Sequence, residues 1–379
     1  MLTGFKIRIH PTDEQIKKFY QYAGTSRFMY NWALQAMQEA YEAGIKFKDL
    51  KLANQLTIIQ KEVEELQWLN TIPRRVKCLA IADAEDALKR FFKKTAKYPR
   101  FKSKKKSKIS FSLESTDNKP ANGFITIPLC GKVKLNLKDR LTSEIQNSHL
   151  TTRLTVSFDG KYWYLSGAYE KDFEVSETNN SSMGVDLGLK DLAITNEGKK
   201  FKNINKTKVV KKLKKRLKRV QRKLSRKYEN NKDGNKFIET KNISKLLIDL
   251  RLIYRKLTNI RQNHIEQITS ELVKSKPSRI VMEDLNVKGM MKNRSLANAI
   301  GEASWYYFIE CMRWKCKKYG IEFILADRFY ASSKTCSKCH EKHPNLTLRD
   351  RVFDCPHCDL VIDRDVNAAI NLANYEIVE

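Results

Sequence analysis

Apolar and polar residues alternate along residues 5–9 and Pro11 ends the alternation, which predicts a short β-strand with one buried face. Thr12 follows as a candidate N-cap with Gln15 three residues on, the capping-box pattern, and a helical region extends to about Ala43. Helical character continues through residues 44–95. Pro73 fits the first turn of a further helix that runs through Ala84, Ala87 and Leu88 to Phe91 and Phe92. Residues 93–108 turn basic and lose this period. Alternation returns between residues 109 and 172, in strand candidates around Phe111, Ile125, Val156 and Tyr164, and the Asp159-Gly160 turn joins the last two into a hairpin. A β module is thus begun by the first strand and completed after a helical insertion. Residues 176–182 are polar and read as a linker.

Residues 183–198 read as strand, tight turn, strand. Val210, Leu213, Leu217, Val220 and Leu224 then step by three and four, as do Leu250, Ile253, Leu257, Ile260 and His264, with polar residues 228–242 between the two series. This pattern predicts an antiparallel helical hairpin, with His264 packed at the seam. Residues 277–284 form a short apolar strand closing in two acids, residues 301–319 another helix, and residues 323–326 another strand. A capped helix is expected from Asp363 to Asn374.

At 379 residues the chain has room for two or three domains. Its 73 Lys and Arg against 43 Asp and Glu give a net charge of +30, a surplus that attracts polyanions, nucleic acid first. The first helix of the hairpin is nearly all Lys and Arg outside its seam, and so many like charges on one face are expected to meet phosphates. No apolar run of about 18 residues is present, so no membrane span or membrane partner is expected. The first residues hold no apolar stretch of signal-peptide length. Four of the eight cysteines are scattered (Cys78, Cys130, Cys311, Cys316) and four fall in two Cys-x-x-Cys pairs, which fits a reducing cytoplasm better than a secreted disulfide framework.

Three acids stand at unusual places. Asp186 lies between Val185 and Leu187 in an apolar strand, Glu283 closes a second strand, and Asp365 stands at a helix N-terminus beside Asp363. An ionised carboxylate in an apolar strand is costly unless paired or bound to a cation. Alone, each acid fits a turn, a strand end or an N-cap. Together, in so basic a chain, they fit a site where two Mg²⁺ ions about 4 Å apart activate water and relieve charge on a leaving oxygen.

Val185-Asp186-Leu187-Gly188, Val281-Met282-Glu283-Asp284-Leu285-Asn286 and Asp363-Arg364-Asp365-Val366-Asn367-Ala368-Ala369 resemble the three nuclease motifs of the TnpB family, encoded by insertion-sequence transposons and related to type V CRISPR effectors. Arg27-Phe28-Met29-Tyr30-Asn31-Trp32 and Tyr98-Pro99-Arg100-Phe101-Lys102 resemble that family's N-terminal signature and basic linker. The resemblance implies a multidomain α/β plus β chain. Its parts are a β-barrel wedge module (1–11 and 107–175), an inserted helical recognition lobe (12–106), and an RNase H-like (RuvC) nuclease core (183–379) with a helical hairpin (207–275) and a zinc ribbon (331–362) inserted. It maps Asp186, Glu283 and Asp365 onto the catalytic, Mg²⁺-binding acids, with Asp284 and Asp363 in support. It implies an RNA-guided DNA endonuclease that binds a guide RNA from the transposon end and cuts double-stranded target DNA beside a short flanking motif, in a prokaryotic cytoplasm at the nucleoid. Two other classes remain open: a guide-directed repressor that binds without cutting, and a transposase acting on transposon ends. The sequence points to no protein partner.

Cys336-Ser337-Lys338-Cys339, a spacer of 15 residues and Cys355-Pro356-His357-Cys358 fit a four-thiolate zinc ribbon, with one structural Zn²⁺. His340 and Asp359 stand where each knuckle of the family has Gly, a place where His and Asp tolerate left-handed backbone. His340, His343 and His357 are alternative ligands. The ribbon ends just before Asp363, so zinc is expected to set the turn carrying Asp365. By family likeness Arg74, Arg75 and Lys77 are expected to contact duplex DNA, with Phe47 nearby; the basic residues Arg100, Lys102, Lys104, Lys105 and Lys106 are expected to contact phosphates without reading bases.

Overall fold

The computed structural model describes residues 1–45, 51–104, 107–115, 119–151, 153–173, 177–234, 236–347 and 350–376. Phe47, Lys105 and Lys106, named above, lie outside them. The chain divides into two compact units, Met1–Asp172 and Phe173–Glu379. None of the described helices is long and apolar enough to cross a membrane.

The first unit opens with β1 (Leu2–His10) and α1 (Asp13–Glu42), followed by α2 (Leu52–Glu62), a 3-10 segment (Glu64–Thr71) and α3 (Arg74–Phe92). Then come β2 (Ser110–Glu114), β3 (Phe124–Ile127), β4 (Gly131–Leu135), α4 (Arg140–Gln146), β5 (Arg153–Phe158) and β6 (Trp163–Glu170). The Thr12–Gln15 capping box starts α1 as the sequence predicts. The strands form one antiparallel sheet in the order β2-β5-β6-β1-β4-β3. It curls, because its outer strands send Phe111 and Leu113 from β2, and Ile125 and Ile127 from β3, into one core. Periodicity passed over β4 and α4. Lys132 and Lys134 alternate with buried Val133 and Leu135, a stretch too short to stand out, and Leu129 and Gly131, both at positive φ, make its turn from β3.

One helix serves two cores. Phe19, Tyr22 and Ala23 of α1 pack on the sheet, while Met29, Ala33, Leu34 and Met37, further along, pack against α2 and α3. A helix of 30 residues spans about 45 Å, enough for both.

The second unit opens with β7 (Asn179–Leu187), β8 (Asp191–Thr195) and β9 (Lys200–Lys202). The hairpin follows as α5 (Lys208–Asn230) and α6 (Lys241–Lys274), joined through the short pair β10 (Lys232–Asp233) and β11 (Lys236–Phe237). Next are β12 (Pro277–Glu283), α7 (Val287–Met290), α8 (Ala297–Ala303), α9 (Trp305–Tyr319) and β13 (Glu322–Ala326). The ribbon strands β14 (Val352–Asp354) and β15 (Val361–Asp363) lead into α10 (Arg364–Ala373). The main sheet runs β13-β12-β7-β8-β9. Its first three strands in chain order are antiparallel, and β12 and β13 join β7 in parallel. This 3-2-1-4-5 order with an antiparallel half and a parallel half is the RNase H-like arrangement.

Helices cover both faces of that sheet. Ile280 and Met282 of β12 pack with Ile268 and Leu272 of α6 and Phe308 and Met312 of α9. Val281, pointing the other way, packs with Leu372 of α10. The single helix expected over 301–319 is two, because Ser304 adopts left-handed backbone (φ 57°) between α8 and α9. In the hairpin, Val210, Leu213, Leu217 and Val220 meet Leu250, Ile253, Leu257 and Ile260. His264 leaves that seam: its Nε2 lies 2.8 Å from the Lys202 carbonyl oxygen on β9.

Candidate active site and metal centre

The parallel half of the sheet brings two acids together. Met282 pairs with Val185, so the next residues, Glu283 on β12 and Asp186 on β7, stand side by side at neighbouring strand ends. Asp365 arrives from the first turn of α10. Asp363 takes the capping role: its Oδ1 accepts from the N–H of Asp365 at 3.0 Å and of Val366 at 3.4 Å. That leaves the Asp365 carboxylate free of the N-cap duty its position allowed. Burial first, and then the nearby Asp365 and Glu283 carboxylates, push the Asp186 carboxyl up to about 7, against the opposing pull of Arg364. Burial, with Asp284 beside it, also raises Glu283.

Basic side chains hold both flanking acids and touch one of the central three. Lys200 Nζ reaches Asp363 Oδ2 at 2.5 Å, Arg328 Nη2 reaches Asp284 Oδ2 at 2.5 Å, and Arg364 Nη2 lies 3.3 Å from Asp365 Oδ1. Asp186 still meets the charges of Asp365 and Glu283, and all three offer hard oxygen donors. That donor set fits divalent cations such as Mg²⁺. Among the described residues only the four cysteines are already drawn to the spacing of a single metal ion.

Contacts along α10 fix the place of Asp365. A Cβ at Gly184 would stand 1.9 Å from the Ala369 carbonyl oxygen and 2.5 Å from the Ala373 nitrogen, so the helix crosses β7 at a point only glycine permits. Arg279 on β12 donates to the Ala373 carbonyl at 3.0 Å and anchors the far end of the helix. On α10 itself, Asn367 and Asn371 are buried one turn apart. Asn367 donates to the Thr335 carbonyl at 2.7 Å and accepts from the Ser337 N–H at 2.9 Å. Asn371 donates to the carbonyls of Ser332 at 2.8 Å and Thr335 at 2.6 Å. These two asparagines clamp α10 to the first cysteine knuckle. The sequence reading passed over them, although two Asn four apart on an apolar helix face are a signal of buried hydrogen bonding.

The knuckles themselves converge. The sulfurs of Cys336, Cys339, Cys355 and Cys358 all lie within 4.8 Å of one another. Cys336 stands 3.6 Å from Cys358 and Cys339 the same distance from Cys355. Tetrahedral Zn²⁺ with ~2.3 Å bonds needs sulfurs ~3.8 Å apart, so the set fits zinc. No histidine joins the cluster among the described residues. His340 adopts the left-handed conformation (φ 62°) that its place after the first knuckle demands, whereas Asp359 does not.

The candidate nucleic-acid contacts separate. Arg74, Arg100 and Lys104 are exposed. Arg75 is exposed and paired with Glu114 at 3.0 Å. Lys77 is a correction: it is 3% exposed, with its ammonium donating to the Leu69 carbonyl at 2.7 Å, so it stabilises the turn into α3 and presents no charge to DNA. Lys102 also faces inward, over the Tyr30 ring at 3.6 Å, while its backbone exchanges two hydrogen bonds with the Asn31 side chain. The N-terminal signature and the basic linker therefore meet in space. On α5, Lys218, Arg222 and Arg226 line a shallow open surface.

Three family models match the chain. One is a helix-turn-helix domain of the OrfB group of IS605 over residues 1–46, one a probable transposase over 166–294, and one the TNB domain of Cas12f1-like proteins over 305–372. A Streptomyces pristinaespiralis protein named "Putative RNA-guided DNA endonuclease" is 29% identical over 370 residues, spanning 97% of this chain and 88% of its own. InsQ of Escherichia coli K12, named in the same words, is 27% identical over 98% of this chain and 91% of its own. A cryo-EM structure of a Cas12f1-sgRNA-target DNA complex shares the fold, with a TM-score of 0.61 at 15% identity over 99% of both chains.

Proposed function

This chain belongs to the TnpB family, and from that premise we propose that it is an RNA-guided DNA endonuclease whose cutting centre is Asp186, Glu283 and Asp365. The observation that supports this centre is that two parallel strands and a helix carry the three carboxylates to one buried place, where burial first and then the charges of Asp365 and Glu283 push Asp186 up to about 7. Such mutual repulsion suits a cation-binding site. Mg²⁺ held there would activate the attacking water and neutralise the leaving oxygen.

The residues of the chain divide the remaining work. Asp186 and Glu283, on rigid strands, give fixed oxygen donors, and Asp365 supplies the third from the opposite side. Asp363 and Asp284 hold Lys200 and Arg328 at the edge of the cleft, where a phosphate backbone would pass. Zn²⁺ in the four-cysteine ribbon has a structural task, since four thiolates leave no open position. Arg74, Arg75, Arg100, Lys104 and the open face of α5 are the proposed phosphate contacts. A guide RNA paired with one strand of the target would open the duplex to the acids.

The test uses protein purified with its bound RNA. With Mg²⁺ it should cut double-stranded DNA that matches the RNA. Asp186→Ala, Glu283→Ala and Asp365→Ala should each lower cutting by at least ~10³-fold while target binding persists. Binding without cutting by the parent would favour the repressor class, and RNA-free joining of transposon ends would favour a transposase.

A further inference from the structure

Phe329 is the most exposed large apolar side chain among the described residues, at 89%. Single exposed apolar residues are common and need no explanation by themselves. The setting of this one is unusual. Its turn is tied to Asp327: the Phe329 N–H donates to Asp327 Oδ1 at 2.8 Å, and the Tyr330 N–H donates to the Asp327 carbonyl at 2.9 Å. Tyr330 turns inward, where its hydroxyl donates to the Asn371 carbonyl at 3.1 Å and its ring meets Tyr375 edge-on at 4.9 Å. On the other side Arg328 is held by Asp284. A fixed turn thus pushes one aromatic ring into solvent while its neighbours are anchored.

The position matters as much as the exposure. Ala326 is the strand partner of Glu283, so this turn leaves the sheet at the same end as the acids. Arg328 is paired to Asp284, the residue next to Glu283. Phe329 therefore lies three residues beyond the strand end that pairs with Glu283, next to a guanidinium held by Asp284, on a chain of net charge +30. In the guided nuclease proposed above one DNA strand is unpaired, and unpaired bases expose their faces. An exposed aromatic ring is a surface on which single-stranded nucleic acid stacks, because every base has a π-face whatever its sequence.

We propose that Phe329 is a stacking platform for a nucleobase of the unpaired DNA strand as it enters the Asp186–Glu283–Asp365 cleft. The inference rests on the nuclease reading above. Phe329 positions the strand and takes no part in bond breaking.

Phe329→Ala and Phe329→Trp test it in the RNA-loaded full chain, with a single-turnover cleavage assay, target binding, melting temperature, and 2-aminopurine fluorescence of a target carrying the analogue beside the cut site. Phe329→Ala should cut about 5- to 150-fold more slowly, the effect of removing one base–aromatic stack. Its melting temperature and target affinity should match the parent, since pairing with the guide dominates affinity. It should also lose the parent's quenching of 2-aminopurine, and Phe329→Trp should restore both rate and quenching. An Ala variant that cuts and quenches like the parent would overturn the proposal. So would one that melts lower, because the ring would then be a packing residue. A parent that binds its target and never cuts removes the nuclease reading, and this inference with it.

Discussion

At the scale of single residues, the structure sorts groups the sequence treats alike. Asp363 and Asp365 sit two apart in one motif, yet one caps α10 and the other is left for the cleft. The sequence placed Asp186 within a strand, Glu283 at a strand end and Asp365 at a helix start, and the fold sets the charges of Asp365 and Glu283 against Asp186. It could not separate Lys77 from Arg74 and Arg75, since the burial of one lysine depends on a carbonyl eight residues upstream. Asp186 yields a prediction with a definite sign. A carboxyl whose folded value stands at about 7 binds its proton more tightly folded than unfolded, so stability falls as pH rises through the carboxylate range toward 7, and the cost is complete above it. Asp186→Asn in EDTA at pH 8 should therefore melt above the parent by several degrees, at about 2–4 °C per kcal/mol of repulsion relieved. Mg²⁺ should raise the melting temperature of the parent more than that of the variant. Equal melting of the two proteins in EDTA would remove the strained-carboxylate account.

At the scale of elements, periodicity located the long pieces and failed where tertiary contacts decide. The hairpin seam and the capping box stand in the sequence because they are local. The break at Ser304 is not, since residues 301–319 carry one helical pattern across a residue that takes left-handed backbone. Likewise Gly184 reads as a strand glycine until α10 is laid across it. The element whose placement matters most is α10, and Asn367 ties it to the zinc ribbon. Asn367→Ala would strand the Ser337 N–H and loosen the Thr335 carbonyl, at a cost of about 1–3 kcal/mol for each buried group left without a partner. The variant should keep its zinc, measured per chain, and lose about 10–100-fold in cutting, the usual effect of disturbing a support behind a metal ligand. Undiminished cutting would show that the ribbon and Asp365 are uncoupled.

For the whole molecule, charge is the property most legible in the sequence and least specified by it. A net +30 announces a polyanion but not where it lies. The structure gives α5 an apolar seam toward α6, and Lys214 and Arg216 are paired with Glu302 and Asp249. The open remainder predicts a salt effect. Lys218, Arg222 and Arg226 changed together to Gln should flatten the plot of log affinity against log salt by up to about 3, near 0.9 for each phosphate the protein no longer neutralises. An unchanged slope would mean that this face meets no phosphate.

The helix that brings Asp365 over β7 also imposes an order in time. A chain on the ribosome is made from the N-terminus at about 5–20 residues per second. The whole of Met1–Asp172, the basic hairpin and two of the three acids emerge before Asp365 is joined. Asp186 waits on the order of ten seconds or more for its partner on α10. During that interval the nascent protein has the surfaces to gather polyanions and lacks the third carboxylate. On the function proposed above, a cell making this protein meets it first as a binder.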